Sequence, residues 1–268
     1  ISTWQTTTNG WDADNTWTGW YDNVLATTRS IALKNNINYG VACLKTTFTC
    51  EGTTLEDNRE NVVSGSDNQT ITIPSDGFQV TGVLIGGQPE NVNWQFINTG
   101  TDRNYVVYDK ELSDIYAGRN ETPSEANYTL VFDNWTSAPT QEPVNVAIEL
   151  VNTAADFYGV DGIVAYGQKF YLIGCLDPTS VTTEINWPSY NDIKGENTLP
   201  TSYQGRYPVK FDTKRVFVQD FTTTANFTIN SLKNAYVTIP DLRASKLQLG
   251  LSVDLEWKTG LTFDVPIE

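Results

Sequence analysis

The strongest signal along the chain is an alternation of apolar and polar residues with a period of two. Leu247, Leu249, Leu251, Val253, Leu255 and Trp257 fall on one face, and Gln248, Gly250, Ser252, Asp254 and Glu256 fall on the other. Successive side chains of a strand point to opposite faces, so this pattern predicts a strand over 247–257 with one face on a core and one in water. The same reasoning predicts strands over 41–50, 69–73, 79–85, 104–108, 128–132, 144–151, 169–176, 215–218 and 226–229, with a Gly86-Gly87 turn closing the third of these. Helical periodicity is nearly absent; only 231–236 predicts a single turn. Short strands separated by Asn, Asp, Gly and Pro predict an all-β fold, an antiparallel β-sandwich or barrel with few short helices. The longest stretch without a pattern is 177–207, a length at which loops are usually functional or flexible. Pro139 and Pro143 mark a candidate junction between two lobes.

Composition fits this picture and removes many kinds of chemistry. With 17 Lys and Arg against 32 Asp and Glu, the net charge is −15, which repels nucleic-acid phosphates and anionic lipid surfaces. Nucleic acid is therefore not an expected partner. No apolar run is long enough to span a membrane. Histidine is absent, which excludes Ser-His-Asp and Cys-His catalysis and HExxH metal sites. Asp12, Asp14 and Asn15 space oxygen ligands as part of a calcium loop would, but the Gly and Glu of an EF-hand are missing, so no metal or cofactor is expected. No motif singles out a pair of carboxylates for glycoside hydrolysis, and the acids read as solvated. The expectation is a protein that is not an enzyme.

Three cysteines, Cys43, Cys50 and Cys175, cannot all pair internally. Cys43 and Cys50 lie an odd number of positions apart on one predicted strand, so their thiols face opposite ways and read as buried small hydrophobes. The chain starts at Ile1 with no signal peptide, which reads as a mature or trimmed form of a longer precursor.

An ordered series of segments carries a family resemblance. It begins with Thr81-Gly-Val-Leu-Ile-Gly-Gly-Gln88 and Val107-Tyr-Asp109, then Tyr128-Thr-Leu-Val-Phe132 and Val146-Ala-Ile-Glu-Leu-Val-Asn152. Lys169-Phe-Tyr-Leu-Ile-Gly174 and Arg215-Val-Phe-Val-Gln-Asp-Phe-Thr-Thr223 follow. Ser231-Leu-Lys-Asn-Ala-Tyr236, Ile239-Pro-Asp-Leu242 and Leu249-Gly-Leu-Ser-Val-Asp-Leu255 close it. From about residue 31 onward the chain resembles the C-terminal domain of the fimbrillin-type pilins of Bacteroidales-like bacteria. The resemblance implies a transthyretin-like or Ig-like sandwich and export as a lipoprotein precursor to the outer-membrane surface of a Gram-negative cell. It also implies a fimbrium built by donor-strand exchange with other copies or related subunits, supporting adhesion. The first 30 residues are too short for the N-terminal domain of a two-domain pilin. The chain therefore divides into a Trp-rich segment (1–30), a sandwich (31–257) and a C-terminal strand (258–268).

That C-terminal strand is the candidate donor. After a break at Lys258-Thr259-Gly260, Leu261, Phe263, Val265 and Ile267 alternate with Thr262, Asp264, Pro266 and Glu268. Burying four such side chains in a groove lacking a strand is worth roughly 6–10 kcal/mol before ordering costs. Alternation marks any half-buried strand, so a hairpin folded back into the chain's own sheet is the competing reading. Trp4, Trp11, Trp17, Trp20 and Tyr21 crowd one short polar stretch. Exposed, they would stack on sugar rings, as in a surface glycan-binding module or a tip adhesin that does not polymerise. Buried, they cap the sandwich or meet a neighbouring subunit, the reading we favour.

Overall fold

The computed structural model describes residues 41–93, 99–100, 102–119, 124–133, 143–177, 216–217, 221–243 and 247–259. Through them run β1 (Ala42–Cys50), β2 (Thr54–Glu56), α1 (Arg59–Val62), β3 (Thr70–Thr72), β4 (Gln79–Gln88), β5 (Tyr105–Tyr116) and β6 (Gly118–Arg119). Then come β7 (Asn127–Val131), β8 (Val144–Val151), β9 (Phe157–Tyr158), β10 (Ile163–Val164), β11 (Lys169–Leu176), β12 (Phe221–Ile229) and β13 (Leu251–Thr259). One sheet has the order β13-β12-β1, with β6 and β7 both pairing with β1; the second has the order β11-β8-β4-β5. Neither closes into a barrel, and the fold is an all-β sandwich.

Each sheet turns one row of alternating side chains inward. From the first sheet come Leu44, Phe48, Ala225, Phe227, Ile229, Leu251 and Leu255; from the second come Val83, Ile85, Val146, Ile148, Leu150, Phe170 and Leu172, all in one buried cluster. Phe48 and Phe227 stack with centroids 6.0 Å apart, and Phe170 meets Phe78 and Phe157 edge-on. The second sheet is antiparallel throughout, but β1 pairs with β12 in parallel. Parallel neighbours need a crossover, and here the intervening chain builds the whole second sheet. On one side the two sheets are tied by Asp109 of β5, whose carboxylate accepts hydrogen bonds from Thr129 Oγ1 (2.6 Å) and Asn127 Nδ2 (3.2 Å) of β7.

Several sequence expectations change. The strand over 79–85 continues through Gly86 and Gly87 to Gln88, with a register shift between Ile85 and Gln88 in place of a turn. Residues 231–236 form turns and not a helix, and the short helix at Arg59–Val62 carried no periodic signal. Within 215–218 the described residues Val216 and Phe217 are buried but irregular. Val131 and Val144 lie in the same core cluster, and the candidate lobe junction between them lies largely outside the described residues. The segment read as one strand over 247–257 is divided at Gly250. The Gly250 N–H bonds Ile173 O of β11 at 2.9 Å, whereas β13 starts at Leu251 and pairs with β12 in the other sheet. A Cβ at residue 250 would stand 2.7 Å from Leu172 Cδ2, so a larger residue there would require the Leu172 side chain to shift. The expected break at 258–260 also moves, because Lys258 and Thr259 still pair with Thr222 and Phe221.

Candidate functional site

The outward row of β8 holds the most elaborate polar arrangement among the described residues. Val144, Val146, Ile148 and Leu150 face the core, which sends Asn145, Ala147 and Glu149 to the opposite face of the sheet. Register sets Glu149 across from Tyr171 of β11 and from Gly82 of β4. Glu149 is 1% exposed, and its carboxylate accepts four hydrogen bonds. Thr81 Oγ1 (2.7 Å) and Lys169 Nζ (2.7 Å) donate to Oε1; Tyr108 OH (2.8 Å) and Tyr171 OH (2.9 Å) donate to Oε2.

Burial works to raise the Glu149 pKa, but the bonds from Lys169, Thr81, Tyr108 and Tyr171 outweigh it and hold the carboxyl below its ordinary value. Burial, and then the bond to the Glu149 carboxylate, push the Tyr108 phenol up to about 12 and raise that of Tyr171 as well. A general acid needs a pKa near the working pH, and a nucleophile needs an unoccupied lone pair. Glu149 has neither; the arrangement fastens the four strands β4, β5, β8 and β11 of one sheet together.

Beside it lies a second small apolar cluster of Leu84, Ala147, Tyr171, Ile173 and Leu242. It is covered by chain leaving β12: Tyr236 and Tyr171 exchange backbone hydrogen bonds at 2.9 Å each way, and Asn145 Nδ2 donates to Leu242 O at 3.1 Å. Between this cover and the end of the sheet is a groove of about 700 Å³. Val144, Leu242, Leu247 and Leu249 supply its apolar lining, and Arg103, Asn145 and Arg243 its polar lining. Leu249 is 45% exposed there. Arg243 forks onto Asp241, with Nε to Oδ1 at 2.7 Å and NH2 to Oδ2 at 3.0 Å.

The donor-strand residues Leu261, Phe263, Val265 and Ile267 lie outside the described residues, as do Trp4, Trp11, Trp17, Trp20 and Tyr21. What is described is the strand before the donor segment: among the described residues β13 lies at the edge of its sheet and only β12 pairs with it. The cysteines carry thiols, with Cys50 in the main core cluster and Cys43 buried outside it, as their odd spacing predicts. Burial pushes the Cys43 thiol up to about 11. Cys175 is half-buried and lines the groove.

No group of three or more Cys, Asp or Glu among the described residues could hold a metal ion. No helix among them is long and apolar enough to cross a membrane. Comparison of the chain with protein-family models, with curated proteins and with solved structures finds no match.

Proposed function

We propose that this protein is a structural subunit of cell-surface fimbriae on a Gram-negative bacterium, assembling with copies of itself or related subunits by strand exchange and supporting adhesion. The observation that carries this reading is the row Leu261, Phe263, Val265 and Ile267, which follows directly on the edge strand β13. β12 already has β13 on one side and β1 on the other, so a further strand has no place beside it. A return along the outer edge of β13 after Thr259 by a two-residue turn would put Gly260 and Leu261 in the turn and take Leu261 out of the row. Insertion into another copy keeps all four side chains in use and satisfies main-chain groups along an edge. The absence of histidine and the saturated Glu149 carboxylate agree with a role that needs no catalysis.

A synthetic peptide with the sequence of residues 260–268 tests this. Added in excess to the assembling protein, it caps the acceptor and lowers the polymer mass measured by light scattering. A peptide of the same composition with the alternation destroyed leaves assembly unchanged. Equal effects from both peptides would remove strand exchange as the mechanism.

A further inference from the structure

We infer that the outer edge of β7 is a self-association surface, at which two copies of this chain join strand to strand about a two-fold axis and continue one sheet across both. The first argument is which side chains β7 turns to water. Elsewhere in the sandwich, alternation turns apolar residues inward. In β7 the inward row is Asn127, Thr129 and Val131, whereas Tyr128 and Leu130 point outward, 58% and 56% exposed. A slip of one residue would exchange the two rows. The Asp109 carboxylate opposes it, because the bonds from Thr129 Oγ1 (2.6 Å) and Asn127 Nδ2 (3.2 Å) hold both residues on the inner side. Lys45 of β1, opposite Tyr128, sets its ammonium 5.8 Å from the centre of the Tyr128 ring. The register is thus held with two large apolar side chains next to each other in water, as at a contact surface.

The second argument identifies the occupant. Among the described residues β7 pairs only with β1, so alternate main-chain N–H and C=O groups on its other side meet no strand. Edges are ordinarily guarded by charge: β5 carries Asp109, Lys110, Glu111 and Asp114, and β13 carries Asp254, Glu256 and Lys258. Residues 126–132 carry no charge at all. In a chain of net charge −15, this edge lets two copies meet without opposing carboxylates. The segment is also its own complement. Antiparallel pairing centred on Thr129 sets Tyr128 of each copy opposite Leu130 of the other, and a two-fold axis through the sheet keeps all four side chains on one face. Five residues from each side make a contact well under standard interface size, so single copies pair weakly, at ~0.1–1 mM.

Disulfide trapping on the full-length protein tests both the surface and its register. Every sample carries Cys175→Ser to remove the half-buried native thiol, and Cys43 and Cys50 are buried. One variant then carries Tyr128→Cys and the other Leu130→Cys. Both side chains are exposed, and native circular dichroism with unchanged urea unfolding verifies the fold of each. Directly opposed residues of antiparallel strands have Cα atoms about 4.5–5.5 Å apart, within disulfide reach. Like positions, 128 with 128 or 130 with 130, lie diagonally about 7–8 Å apart, at or beyond its limit. Mild oxidation of an equal mixture is expected to give at least about fivefold more covalent dimer on a non-reducing gel than either variant alone. No excess in the mixture, or equal dimer in all three samples, overturns the inference. Residues 260–268 take no part in this contact, so that result leaves strand exchange standing, and loss of strand exchange leaves this contact standing.

Discussion

Replacing Glu149 by Ala is expected to destabilise the fold by about 3–4 kcal/mol although the residue faces away from the main core. The substitution strips the acceptor from four donors. Tyr108 is 40% exposed and the Lys169 side chain 54%, so both recover hydration and add little. Tyr171 is 6% exposed and Thr81 half-buried, and a hydrogen bond to a charged acceptor contributes roughly 1.5–3 kcal/mol. Two such bonds, less the cost of burying the carboxylate, leave about 3–4 kcal/mol, within the usual range for breaking a buried ionic group. Tyr171→Phe should cost about 1–1.5 kcal/mol, and Lys169→Met under about 1 kcal/mol. Urea unfolding followed by circular dichroism at pH 7 reads all three. The sign of the pH effect follows from the depressed carboxyl. Its contribution is complete above the ordinary carboxylate value of 4.5 and is lost as the pH falls through the lower folded value, so wild type and Glu149→Gln differ at pH 7 and converge in acid. A loss below about 1 kcal/mol for Glu149→Ala, or an equal loss for Lys169→Met, would refute the assignment of Glu149 as the buried anchor of this sheet.

Two further expectations come from the packing. At Gly77, φ is +81° and a Cβ would stand 1.7 Å from Ala117 O, so Gly77→Ala should cost more than about 2 kcal/mol by unfolding; Gly65→Ala, at φ +77° with open space around it, should cost only about 1 kcal/mol. Equal losses would mean that backbone conformation alone sets both costs. In native protein a thiol reagent should modify Cys175 slowly, because burial and the Asp177 carboxylate raise its thiol, and should reach Cys43 and Cys50 only on unfolding. Three thiols reacting together would contradict the burial described for β1.

Much of the sandwich was legible because alternation reports directly which residues face a core. The strands over 144–151 and 169–176 have the bounds the pattern predicts, and Cys43 and Cys50 separate as their spacing requires. Alternation does not report which sheet a strand joins. The apolar row from Leu247 to Leu255 therefore read as one strand, although the chain leaves the edge of β11 at Gly250 and enters the other sheet at Leu251. The parallel pairing of β1 with β12 left no local trace either, since it depends on a crossover made by everything between them. Glu149 was overlooked for a related reason. Its donors Thr81, Tyr108, Lys169 and Tyr171 are scattered along the sequence and meet only through the register of β4, β5, β8 and β11. No local signal marked it, because Asn145, Ala147 and Glu149 alternate with the core row as the residues of a solvated face would.

The central claim, assembly through the C-terminal segment, is tested most directly by negative-stain electron microscopy of the full chain beside a variant lacking residues 260–268. The deletion begins at Gly260 because β13 runs to Thr259, and removing Lys258 and Thr259 would cut two pairs from its ladder with β12. The account predicts filaments from the full chain and folded monomers from the shortened one. Filaments from both, or monomers from both, would contradict it.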